Sequence, residues 1–174
     1  GNRYTNSSDQ VLGAMAVLAG FGSHEIWHKL VGDRGFWANC RDDSRSLTNI
    51  ISDENLENRA MEGRRLVHGI FSKTHQEFFA EGYSKFIDAF NAGTLTASSL
   101  IFHGLRYDPR SLRFELARYQ GANKTELVDL ADAINYWNAR FPVHNPDTEL
   151  TQCFNDLFKF IKRDEQEPVD FDDT

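Results

Sequence analysis

Asp147-Thr-Glu-Leu-Thr-Gln-Cys-Phe-Asn-Asp-Leu-Phe-Lys-Phe-Ile161 is the stretch that decides the fold. Leu150, Phe154, Leu157, Phe158 and Ile161 recur at intervals of three and four, which puts their side chains on one face of an α-helix. Asp147 stands where a helix N-cap is expected, just after Phe141-Pro142-Val143-His144-Asn145-Pro146, a linker marked by two prolines. The same reading extends upstream. Asn123-Lys124-Thr125-Glu126 has the form of a capping box, and it opens a helix bearing Leu127, Leu130, Ala131, Ile134 and Trp137. Pro109 starts, and Gly121 ends, a helix with Leu112, Phe114, Leu116 and Tyr119. Thr94 or Thr96 caps a short helix carrying Leu100, Ile101 and Leu105.

Further back, Ala92-Gly93-Thr94 closes a helix of about residues 74–91, in which Phe78, Phe79, Phe86, Ile87 and Phe90 keep helical spacing. Another helix spans about residues 55–72, and Asn6-Ser7-Ser8-Asp9 caps one near the N-terminus. Period-two alternation, the mark of strands, is missing throughout, and Val and Ile are scarce. The expectation is an all-α, single-domain bundle of about seven helices joined by short loops. Phe79, Phe86, Leu130, Ile134, Phe154, Leu157 and Phe158 are expected to share its core.

The chain has 174 residues, enough for one domain with a substantial core. Its net charge of −7 is concentrated at one end: residues 164–174 hold six acids and no base, so the other 163 residues sum to −1. The reading is therefore a helical domain over 1–163 and an acidic tail over 164–174. A nearly neutral body and an acidic tail argue against a general nucleic-acid surface, which needs a basic stripe. No apolar run approaches the 18 residues of a membrane span. The first six residues are polar, with no signal-peptide core. A leading Gly without Met is what a segment of a longer protein would show. Cytoplasmic residence is expected, with delivery into a host cell as the alternative. Cys40 and Cys153 match no metal or redox spacing and read as reduced thiols packed as small apolar groups.

One motif names a chemistry. Ser23-His24-Glu25-Ile26-Trp27-His28 spells H-E-x-x-H, in which two His four apart on a helix hold Zn²⁺ and the Glu is general base. The motif resembles the helix of the zinc metallopeptidases called zincins, over about eight residues. That resemblance implies His24 and His28 as zinc ligands, Glu25 as catalytic base, and a third ligand from a second helix, for which Glu57 is the choice. The chain departs from the extended form: Gly32 comes one residue late and no His follows nearby. No strand to hold a substrate precedes the motif, and no Asp stands four residues after Glu57. The metal-free reading is a helix with Ile26, Trp27 and Leu30 in the core. In that reading Glu54, Glu57 and Glu62 are solvated acids on a helix surface.

The densest basic segment runs from Arg106 to Tyr119. Tyr107, Arg110, Arg113 and Arg118 in it are candidate anion- or partner-binding residues, because Arg forks grip phosphate or carboxylate and Tyr rings stack on planar groups. The alternative is pairing within the chain, with the tail as the nearest block of acids. The tail's Asp164-Glu165-Gln166-Glu167 is similar to acidic C-terminal blocks of some type IV-secreted bacterial effectors. No nucleophile elbow, P-loop or dinucleotide fingerprint is present. The sequence thus reads as a helical macromolecule-binding module, a domain of an effector-like protein, that recognises an acidic or phosphate-bearing partner without a cofactor. The runner-up is a zinc-dependent metallohydrolase using His24, Glu25, His28 and Glu57.

Overall fold

The computed structural model describes residues 33–40, 44–61, 80–107 and 112–166. Among them are seven α-helices and no strand, and 80% of these residues are helical, as the spacing of apolar residues requires. The helices are α1 (Arg34–Ala38), α2 (Arg45–Met61), α3 (Ala80–Ala92), α4 (Ala97–Phe102), α5 (Leu112–Leu116), α6 (Lys124–Asn138) and α7 (Pro146–Gln166). Helix α4 continues without a break into a π-helical turn over His103–Tyr107. Such wide turns are rare and concentrate at functional sites.

The longest helix is the spine. α7 packs against α1, α2, α4 and α6, while α6 also carries α4, α5 and the π-turn. Leu150, Cys153 and Leu157 on α7 are fully buried, and Phe160 is nearly so. They meet Leu127, Leu130, Ala131, Ile134 and Trp137 of α6 in one core. Phe86, Leu130, Ile134 and Leu157 are in that core as the sequence predicts, whereas Phe154 and Phe158 only flank it. Phe79 lies outside the described residues. The core-facing line of α7 is thus rotated toward Cys153 and Phe160. Burial, with Asp156 alongside, pushes the Cys153 thiol well up, so it stays a neutral, packed thiol. Cys40 is half-buried, and neither cysteine is bridged.

Helix ends are fixed by contacts distant in sequence. Gly93 adopts a left-handed φ of 71°, and the Thr94 N–H reaches back to the Ala89 carbonyl at 2.9 Å, closing α3 at the expected glycine. Thr96 and Ser99 form a reciprocal cap on α4. The Asp164 carboxylate adds to it by accepting the Ala97 N–H at 2.6 Å. Pro146 is the first residue of α7, where its missing N–H costs nothing. Asp147 instead accepts the Phe36 N–H at 3.1 Å and holds α1 against the spine.

Several expectations need correction. Helix α2 begins at Arg45, about ten residues earlier than the periodicity predicts, because buried Leu47, Thr48, Ile51 and Ser52 extend the helical face upstream. Asn123 makes no side-chain cap on α6. Its amide turns inward, accepting the Tyr119 hydroxyl at 2.8 Å and donating to the Leu95 carbonyl at 2.7 Å. The Tyr119 oxygen also accepts the Leu95 N–H at 3.1 Å, so one buried triad pins the α3–α4 loop to the entry of α6. The acids Asp164 and Glu165 belong to α7 itself, which runs on through Gln166.

Candidate functional site

The π-turn is where the sequence's polar residues and the core meet. Gly104 lets the turn approach α5 and α6 closely: a Cβ there would stand 2.7 Å from Leu112 Cδ1 and 2.9 Å from Ile134 Cγ2. Its carbonyl accepts the Asn138 amide at 2.9 Å, so the turn lies directly on α6. Seated this way, its side chains diverge. His103 and Tyr107 point toward α3, and Arg106 points toward α2.

Arg106 is buried at 7% exposure between two acids of α2. One terminal nitrogen, Nη1, lies 2.9 Å from Glu54 Oε2, and the other, Nη2, lies 2.6 Å from Glu57 Oε2. Burial pulls the guanidinium pKa down, but Glu57, Glu54 and Asp53 outweigh it and hold the group above its ordinary value. The solvated-surface reading is corrected for Glu57, which is 2% exposed because its counter-charge comes from the π-turn, and for Glu54, whose side chain is 12% exposed, while Glu62 lies outside the described residues. This cluster ties α2 to the π-turn and is a structural clamp.

The clamp bears on the zinc reading. His24, Glu25 and His28 lie outside the described residues. The third ligand assigned by resemblance, Glu57, has Oε2 in the grip of Arg106, so a metal taking that oxygen would have to displace the guanidinium. Among the described residues no three His, Cys, Asp or Glu cluster as a metal site would need. The expectation from the sequence stands as a measurement to be made: protein purified without added zinc should carry well under one zinc per chain by elemental analysis. Near-equimolar zinc, lost on His28→Ala together with a hydrolytic activity, would restore the peptidase reading.

On the other side of the turn the rings stack. Phe86 and His103 lie parallel at 3.8 Å between centroids, and His103 and Tyr107 follow at 5.4 Å. Tyr83 stacks on Tyr107 at 4.5 Å with 10° between planes. Pairs of this kind each contribute about 0.5–1.5 kcal/mol beyond the area they bury. His103 is buried; its Nε2 is 4.0 Å from Glu115 Oε2, too long for a hydrogen bond and an ion pair only when the ring is protonated.

The four rings line a cleft of about 710 Å³ between α2, α3, α4 and α7. Ile50, Phe102, Phe158 and Ile161 are among the residues that extend its apolar wall. Phe158, which the sequence places in the core, is a wall residue here. Ser44, Ser46, Ser98 and Ser99 also line it, together with exposed Lys85 and Glu165. Glu165 is paired with Lys162 at 3.2 Å. Tyr83 and Tyr107 stand at the mouth, 38% and 37% exposed. This is a concave, mostly apolar site with a few polar groups, the usual character of a binding pocket.

The predicted Arg/Tyr surface is divided by the fold. Tyr107 belongs to the cleft. Arg113, on α5, is exposed and stands 3.9 Å from Asp132 of α6. The Arg118 guanidinium lies 6.0 Å over the ring of Phe114, which is 73% exposed. Arg110 and the tail beyond Gln166 lie outside the described residues. Tyr83, Lys85 and His103 were not legible as site residues, although Tyr83 with Phe86 and His103 with Tyr107 each keep helical spacing. What the sequence lacks is the docking of one pair on the other.

No helix among the described residues is long and apolar enough to cross a membrane. Comparison of the chain with protein-family models, curated proteins and solved structures gave no match in any of the three.

Proposed function

We propose that the protein is a helical binding module whose cleft takes an aromatic side chain flanked by acidic residues from a partner protein. The observation that carries this reading is the ring stack at the mouth. Tyr83 and Tyr107 are rigidly paired on each other, backed by His103 and Phe86, and still more than a third exposed. Large rings held in one orientation lose little entropy on binding, which is why Tyr anchors dominate many interfaces. An incoming ring would extend the stack and cover apolar wall from Phe102, Phe158 and Ile161. Lys85, an exposed lining residue with a partner of its own, adds positive charge to the cleft and favours acids beside that ring.

This keeps the acidic partner expected from the sequence but moves its seat from the Arg-rich segment to the cleft. The test is the affinity of an acid-flanked phenylalanine peptide, measured by calorimetry at low salt. Tyr83→Ala and Tyr107→Ala should each weaken it about tenfold or more, as loss of an aromatic anchor does. Lys85→Glu should weaken it chiefly at low ionic strength, since an exposed charge is screened by salt. Affinity indifferent to both tyrosines but lost on Arg113→Glu with Arg118→Glu would return the site to the α5 surface.

A further inference from the structure

The cleft has a neighbour. A second cavity of about 360 Å³ is walled by Phe36, Cys40, Thr48, Thr151, Phe154 and Phe158. Phe158 and Ser44 also belong to the wall of the cleft, so the two spaces adjoin and form one continuous site. We propose that the second cavity seats a further apolar side chain of the same partner, and that the partner segment is an amphipathic helix whose aromatic anchor and second anchor stand seven residues apart. The proposal rests on the binding mode assigned to the cleft above.

Three observations lead there. The first is alignment. Along α7, Thr151, Phe154 and Asn155 line only the second cavity, Ile161 and Glu165 line only the cleft, and Phe158 lines both. The two seats are therefore consecutive on one helix. Centred near Phe154 and Ile161, they are about 10 Å apart at a rise of 1.5 Å per residue. The second is the form of the occupant. Side chains seven apart on a helix share one face and are separated by the same two turns of rise. No strand, and so no open sheet edge, occurs among the described residues, which leaves a helix laid in a groove as the recognition mode that fits. The third is chemistry. Phe154 and Phe158 stack at 4.9 Å between centroids, yet both stay half-buried. An apolar side chain seated beside them takes that ring surface out of water. Exposed Asn39 and Asn155 also line the second cavity, and a side-chain amide both donates to and accepts from polar groups next to such an anchor.

The test is calorimetry on the full chain with helical peptides that share one acid-flanked phenylalanine. A leucine in place of serine seven residues before or seven after the phenylalanine should, in one of the two directions, tighten binding about tenfold. The same leucine five residues away leaves the shared face and should add nothing. No gain at seven in either direction, or an equal gain at five, would overturn the second seat. Thr151→Phe, which fills the second cavity, should erase the gain, and a gain that survives it would count against the proposal. Cys40 offers a check that needs no variant. It is half-buried in the second cavity wall, whereas the other thiol, Cys153, is fully buried and held neutral. A peptide with an activated disulfide at the seventh position should therefore label Cys40 faster than its fifth-position isomer, and equal rates would contradict the assignment. The two readings fail separately. Tyr107-dependent binding of the peptide without leucine, with no gain from leucine at seven, ends the second seat and leaves the cleft. Failure of every peptide to bind ends the cleft reading itself and the second seat with it.

Discussion

Replacing Arg106 by alanine should lower stability by about 3–5 kcal/mol, the cost of removing one partner from a buried ion pair. For a chain of this size that is a fall of roughly 6–20 °C in Tm. The reason is asymmetry. Glu54 and Glu57 are held 2.9 and 2.6 Å from the guanidinium, with 12% and 3% of their side chains exposed. Removing the cation leaves two like charges beside each other in a poorly solvated place. The loss should shrink on acidification, because protonated carboxylic acids no longer repel each other. Thermal melts of Arg106→Ala at neutral and acid pH check both statements. A change below about 1 kcal/mol would mean the clamp is solvated, as an exposed pair would be.

The second large effect concerns the spine. Leu157→Ala should cost about 2–5 kcal/mol, since the side chain is fully buried where α7 meets the core. Phe158→Ala, one residue on, should cost clearly less despite removing more atoms, because Phe158 is a half-buried wall of the cleft. Denaturant titrations of the two variants give the comparison. Equal or reversed losses would place the core-facing line of α7 at Phe154 and Phe158, where periodicity alone puts it.

That comparison also marks how far the sequence could be read. From Phe160 through Leu150 to Phe158 the apolar residues of α7 cover an arc of about 160° at 100° per residue. An arc so wide establishes a buried helix without saying which half faces the core and which faces a cleft. The helical fold, the glycine stop at Gly93 and the packed, unbridged cysteines were legible because each rests on local chemistry. Arg106 was not. An arginine in a basic segment reads as surface, and the acids that bury it stand 49 and 52 residues earlier. Asn123 misled for a related reason: its capping geometry was plausible locally, but Tyr119 and Leu95 claim its amide. The ring stack is tertiary in the same sense, built by α3 and the π-turn from pairs that each look like ordinary helix faces. Among the described residues of the predicted partner-binding set only Tyr107 falls in the cleft, while Arg113 lies on α5 and Arg118 just beyond it.

The central claim is that the Tyr83–Tyr107 cleft is the partner-binding site. The most direct measurement is a titration of isotope-labelled full-length protein with an acid-flanked phenylalanine peptide, followed by aromatic and methyl NMR. The account predicts shifts concentrated on Tyr83, Phe86, Tyr107 and Ile161, saturating with peptide and absent in Tyr107→Ala. Shifts centred on Phe114, Arg113 and Arg118, with the cleft rings unmoved, would contradict it.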